Sequence, residues 1–169
     1  MEELTEESLN ILRSAHPEIE ADRPADWLSE LGGVIASIPY RWLFWPDVHE
    51  VFGAAVVDLH GYGRKEIERR LISARSSGGE WIDVVDSFNY FEVSQIFRMW
   101  EGSLVNEERT EILFARLLVE PWTARLSQVF PGRTFRVSPK APEFEIGVCL
   151  EVRQANPVLR PPDWWSQGE

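Results

Sequence analysis

Five residues able to hold a metal ion or move a proton fall in one short stretch, "WPDVHEVFGAAVVDLHG" at 45–61: Asp47, His49, Glu50, Asp58 and His60. Imidazole nitrogens and carboxylate oxygens are ordinary zinc ligands and ordinary acid–base groups. The spacing argues against either role. His49 and His60 stand eleven residues apart, about three helical turns, or more than about 30 Å along a straight strand. Only a chain reversal at Gly53 brings the two rings together. The His pair at i, i+4 with an intervening Glu that marks zinc hydrolases is missing, and His16 is the remaining imidazole. We read the set as the polar ends of a buried element, with His49 and His60 the metal candidates if the chain turns.

The other reactive groups are equally isolated. Cys149 is the single cysteine, which excludes an internal disulfide and a thiolate zinc site. As a nucleophile it needs a positive setting, whereas Glu145 and Glu151 share its face of a strand. A small, half-buried residue beside Gly147 is the expected role. Asp83, Asp86 and Asn89 form a polar stripe on a predicted helix with no lysine or histidine beside them, as on a solvated face. "GYGRKE" lacks both the P-loop spacing and Gly-x-Gly-x-x-Gly, so Gly61 and Gly63 read as a turn. No cofactor is expected.

Periodicity supplies the elements that would position these residues. A helix is predicted over 3–15, with Thr5 as a possible N-cap. A second starts at Asp22-Arg23-Pro24, carries Trp27, Leu28 and Leu31 on one side, and closes on a left-handed Gly32-Gly33. Pro39 and Pro46 isolate "YRWLFW", a run short enough to predict a strand. Val48, Val51, Phe52, Ala55, Val56 and Leu59 fit a helical template, but β-branching and Gly53 favour two strands turned or bulged at the glycine. A helix over 64–76 puts Ile67, Leu71 and Ile72 inward, pairs Glu66 with Arg70, and closes at Gly78-Gly79.

Trp81, Val84, Val85 and Phe88 take helical spacing, and Ile96, Phe97 and Trp100 continue as helix or strand. Asn106 caps the longest helix, with Glu107, Glu108 and Glu111 near its dipole and Ile112, Leu113 and Leu117 inside. Pro121 is expected to break or kink that helix after Val119, before Trp122, Leu126, Val129 and Phe130 resume its stripe. Phe144, Ile146, Val148, Leu150 and Val152 alternate as a half-buried strand should, and "RTFRV" pairs with it across "SPKAPE". The expected fold is α+β: one domain over 1–155, helices on a small antiparallel sheet with a C-terminal β-hairpin, then a Pro/Trp-rich extended tail over 156–169.

Composition narrows the partner. The 169 residues suit one folded domain, and an acidic N-terminus with no long apolar run predicts a cytoplasmic protein. Of the net charge of −11, residues 1–30 contribute −7, nine carboxylates against Arg13 and Arg23. That field repels phosphate backbones and anionic lipids, which excludes nucleic acid and membrane as partners, and attracts a basic protein. Eight tryptophans are a second excess. Trp42, Trp45, Trp164 and Trp165 lie in proline-bounded segments beside Arg41 or Arg160, the residue types of binding hot spots. The tail pair can equally fold back onto its own domain.

The order "FWPDVHEVFGAAVV", "VVDSFNYFEV", "PWTARLSQVFPGRTFRV" resembles small single-domain bacterial proteins of uncharacterised function, some of them immunity-like accessories of polymorphic-toxin systems. The resemblance covers about residues 41–138, and its motifs are structural punctuation. It implies histidines near Asn89-Tyr90-Phe91, which this chain lacks, so no metal or catalytic role is carried over. The functional expectation is a non-enzymatic, acidic immunity or inhibitor-type factor binding a basic protein through Glu18, Glu20, Asp22, Asp26, Trp42, Trp45, Trp164 and Trp165. The rival is a small-molecule-binding or metal-dependent enzyme domain with a site around Asp47, His49, Asp58 and His60.

Overall fold

A computed structural model describes residues 2–98, 108–142 and 146–165. Trp100, the Asn106 cap with Glu107, the 143–145 end of the expected strand and tail residues 166–169 lie outside them. The chain runs α1 (Glu2–Ala15), α2 (Pro24–Leu31), α3 (Val34–Ser37), α4 (Tyr40–Phe44), β1 (Asp47–Val51), β2 (Ala54–Asp58) and α5 (Arg64–Ala74). After a 3-10 turn come α6 (Trp81–Phe88), β3 (Tyr90–Glu92), α7 (Val93–Ile96), α8 (Glu108–Val129), β4 (Thr134–Lys140) and β5 (Cys149–Asn156). The fold is α+β, with an antiparallel β1-β2 pair and a three-stranded antiparallel sheet of order β3-β5-β4.

The opening stretch is two strands reversed at Gly53. Phe52 and Gly53 both take positive φ, 51° and 80°, which matches the twist a two-residue hairpin needs. β2 is buried at all five positions because each of its faces looks into a different core. Ala55 and Val57 join Leu43, Phe91, Leu118 and Trp122, whereas Ala54 and Val56 join Ile67, Leu71, Trp81 and Val85.

β5 is the middle strand, flanked by β3 and β4 and packed against α8 and α6. Residues 148–152 are therefore buried on both faces, and the half-buried alternation expected there does not hold for Cys149 or Glu151. Pro139 is accommodated because β4 is an edge strand.

Four further expectations are corrected. "YRWLFW" is helical over Tyr40–Phe44 rather than a strand, since Pro39 already has helical angles (φ −61°, ψ −27°) and starts the turn. Gly32 and Gly33 are not left-handed, at φ −81° and −145°. Glycine is required at 32 by close approach, because a Cβ there would sit 2.2 Å from the Leu28 carbonyl oxygen. Ile72 faces solvent, while Ile67 and Leu71 are buried as expected. Finally, α8 runs unbroken through Pro121. A helix-interior proline costs about 3 kcal/mol, but Leu118, Trp122 and Leu126 are fully buried on the same helix, at about 1.5–3 kcal/mol each. The tertiary gain exceeds the local loss.

Asn89 links the two sheets, its side chain bonding β2 and its backbone bonding β5. Asn89, buried at the end of α6, accepts from the Val57 N–H (3.0 Å) at Oδ1 and donates from Nδ2 to the Ala55 carbonyl (2.9 Å). Its own carbonyl accepts from the Val152 N–H of β5 at 3.0 Å. Asn89→Ala leaves a buried donor and a buried acceptor unpaired on β2, at about 1–3 kcal/mol each. Denaturant unfolding is expected to show a loss of about 2–6 kcal/mol, with Asn89→Asp at least as destabilising because it buries a carboxylate and turns an acceptor oxygen onto the Ala55 carbonyl.

Candidate functional site

The hairpin does not assemble a metal site. His49 pairs across the strands with Asp58, Nε2 donating to Oδ2 at 3.2 Å. A carboxylate only accepts, so Nε2 carries the proton. Asp58 also accepts from the Tyr62 N–H (2.9 Å) and the Gly63 N–H (2.7 Å), so its carboxylate clamps the 59–63 loop. Burial raises the Asp58 pKa, but the Gly63 and Tyr62 N–H groups and His49 outweigh it, and the net shift is below the usual carboxylate value. His60 is exposed and lies 5.1 Å from the Tyr62 ring, over which the Arg70 guanidinium sits at 3.9 Å. Asp47 is exposed, 3.9 Å from Arg41. Among the described residues no three His, Cys, Asp or Glu side chains converge as a metal would require.

The remaining reactive groups are structural. Cys149 is fully buried; burial pushes its thiol pKa up, with Glu92 and Glu111 adding to the shift against the opposing Tyr90 hydrogen bond. Burial also raises the pKa of Asp86, which ion-pairs with Arg153 at 3.3 Å. Asp83 is exposed. Gly61 and Gly63 shape the loop that Asp58 clamps, both at positive φ.

What the structure does present is an arm. Trp27 is buried with Leu9 and Ala21 in a small cluster beside α1, and Leu43 is buried in the main core. Between them every residue from 28 to 42 is exposed. Leu28 is 74% exposed, Val34 86% and Ile35 83%, with Ile38 and Tyr40 also on the surface. The far end is fixed by α8: Trp122 Nε1–H donates to the Leu43 carbonyl at 2.7 Å, and Arg125 Nε–H to the Pro46 carbonyl at 3.0 Å.

The acidic residues named from sequence flank the start of this arm. Glu18, Glu20 and Asp22 are exposed; Glu18 lies 3.4 Å from His16, and Asp26 is held by Arg23 in two 3.0 Å hydrogen bonds. Part of the N-terminal acidity is neutralised within the fold, since the largely buried Glu7 pairs with Arg116 at 2.7 Å. Trp42 is 51% exposed on the arm, and Trp45 is half-buried with Arg125 5.8 Å above its ring. Trp164 and Trp165 are not free surface rings. Trp164 meets Phe52 at 4.9 Å and Trp165 meets Trp81 at 5.0 Å, while Leu159 is buried in the same cluster, so the tail is docked.

Beneath the arm lies an open cleft of about 1130 Å³, bounded by Tyr40, Trp42 and Leu43 on one side and by Tyr90, Phe91 and Ile96 on the other. Asp47, Asp58 and His60 lie on its lining, and His49 does not. Sequence reasoning missed the arm as a unit. Its one signal was "VIASI" between Gly33 and Pro39, five residues with no charge to mark an outward face and too few to show a period.

Comparison of the chain with protein-family models, curated proteins and solved structures finds no match. Among the described residues no helix is long and apolar enough to cross a membrane.

The Asp58 clamp makes a testable contribution. A depressed folded-state pKa stabilises the fold above the unfolded value, near pH 4, and the contribution is lost as pH falls through the folded value. Asp58→Asn is expected to cost about 1.5–3 kcal/mol at neutral pH and to flatten the acid limb of a stability–pH curve measured by urea unfolding.

Proposed function

We propose that the protein is a non-enzymatic, acidic binding factor whose α2–α4 arm docks a partner protein that presents a basic, apolar surface, as an immunity or inhibitor-type protein would. The observation that carries this reading is the uninterrupted exposure of residues 28–42 with Leu28, Val34, Ile35 and Ile38 outward. Clustered apolar exposure of this kind marks interaction sites on soluble domains. The charge around it selects the partner. Glu18, Glu20, Asp22 and Glu30 are exposed at or near the arm's root, and an acidic rim speeds the approach of a basic surface while repelling phosphate and anionic lipid.

The acid–base alternative draws less support. Both Asp58 oxygens are engaged by backbone N–H groups or His49, which leaves the loop's carboxylate committed to holding the chain.

Affinity capture from the source cells with the full chain and with a Val34→Ser/Ile35→Ser variant tests the reading. Both side chains are more than four-fifths exposed, so the variant is expected to keep the wild-type circular dichroism spectrum. The wild type is expected to retain a basic protein with at least about ten-fold higher affinity, a difference of about 1.4 kcal/mol, and to release it as salt shortens the Debye length. Equal retention by both forms, or retention indifferent to salt, would overturn the proposal.

A further inference from the structure

The cleft between arm and body narrows the kind of surface the partner must carry. Its outer wall is α4, contributing Tyr40 and Trp42, and its inner wall includes α7 and the residue after it, contributing Ile96 and Phe97. We infer that this cleft receives an amphipathic helix of the partner, with its apolar side against Tyr40, Trp42, Ile96 and Phe97 and a lysine or arginine directed at Asp47. The inference rests on the partner-binding reading above and adds where and in what form the partner binds.

Extent favours a polypeptide over a small molecule. The cleft is open and spans about 1130 Å³, at the upper edge of the about 300–1,000 Å³ typical of small-ligand sites. Its lining also leads into the arm: Ala36 and Pro39 border the cleft and adjoin Ile35 and Ile38, which are exposed beyond it. A small ligand would leave that surface uncovered, whereas a helix lying along α4 would cover it.

Wall chemistry selects a helix. Residues of two short helices, α4 and α7, line the same apolar cleft, and an amphipathic helix fills such a groove with its i, i+3, i+4 and i+7 residues. Trp42 and Tyr40 are about half exposed at the mouth, and such rings become anchors once a partner excludes water from them.

Charge selects the sign of the helix. Besides Tyr40 and Tyr90, the ionisable groups on the lining are three carboxylates, Asp47, Asp58 and Glu92, against one guanidinium, Arg98, and His60, so the lining is negative overall. Asp58 is committed to its loop, and Glu92 accepts from the Gly147 N–H (3.1 Å) and the Ser94 hydroxyl (2.7 Å). Among the described residues Asp47 has only the exposed Arg41, at 3.9 Å, a pairing that solvent makes weak, so an incoming cation can displace it. A second copy of this chain is disfavoured by a charge of −11 on each.

The test uses the full chain, isotope-labelled, titrated with a synthetic amphipathic peptide of Leu, Ala and Lys, about 15 residues so that a helix can form. Its scrambled isomer serves as control. Chemical-shift changes are expected at Tyr40, the Trp42 indole, Ile96 and Phe97. Trp42→Ala is expected to weaken binding by about ten-fold or more and Asp47→Asn by a few-fold, with the scrambled peptide similarly weak. Shift changes confined to the acidic 18–30 region, or equal affinity of Trp42→Ala, would overturn the cleft assignment. So would a dimer seen by light scattering, or binding to phosphatidylcholine vesicles, if Trp42→Ala abolishes it, because the occupant would then be a second copy or a lipid surface. In the capture experiment, a partner lost on Val34→Ser/Ile35→Ser but kept by Trp42→Ala sinks the cleft and leaves the partner-binding reading standing. A partner kept by both variants sinks both.

Discussion

Asn89 does for β2 what a third strand would do. A carboxamide carries one acceptor and one donor at nearly the spacing of a peptide group, and here they meet Val57 N–H and Ala55 C=O on the side of β2 that β1 does not cover. That side is buried, so without a partner each group would carry an unmet desolvation cost. Because the Asn89 carbonyl also accepts from Val152 on β5, the same residue fixes the two-stranded hairpin against the three-stranded sheet. The position of β2 then sets Asp58, and Asp58 sets the 59–63 loop that forms part of the cleft's floor.

The arm depends on a different device. It is not held along its length but at two points, Trp27 in a small cluster with α1 and Leu43 in the main core. The second is the stronger, since the Leu43 carbonyl receives the indole N–H of Trp122, a fully buried ring that also meets Phe91 edge-on at 5.2 Å. A segment anchored at its ends and exposed between them has few buried contacts to oppose local opening.

Elements whose pattern is local were legible in the sequence. The reversal at Gly53 followed from a glycine interrupting β-branched residues, and α5 from its apolar spacing with the Glu66–Arg70 pair, which the structure shows at 2.9 Å. "YRWLFW" was not legible because a single turn shows no period, and its helical state rests on Pro39 and on Leu43 reaching a core built from distant residues. The burial of Cys149 and Glu151 was hidden for a related reason: the alternation of a strand does not say whether a second layer covers its polar face. Asn89 read as one more polar residue on a helix face, since nothing local distinguishes a solvated carboxamide from one that finishes a sheet 32 residues away.

Charge is the property in which sequence totals misled most, and correcting it sharpens the functional argument. The −7 of the first thirty residues suggested one acidic face. In the fold, Glu7 of α1 pairs with Arg116 of α8 at 2.7 Å and lies 3.8 Å from Arg109, so it serves to dock the helix, while Glu3 stays exposed. Glu18, Glu20, Asp22 and Glu30 remain exposed, and they sit in the segment that leads into and forms α2. Four of the carboxylates that stay exposed are thus next to the apolar arm. An apolar surface alone would bind indiscriminately, and an acidic one alone would bind weakly in salt. Under the proposed function, the two side by side would make affinity depend on a partner that matches both, which is how charge at the rim of an apolar contact confers specificity.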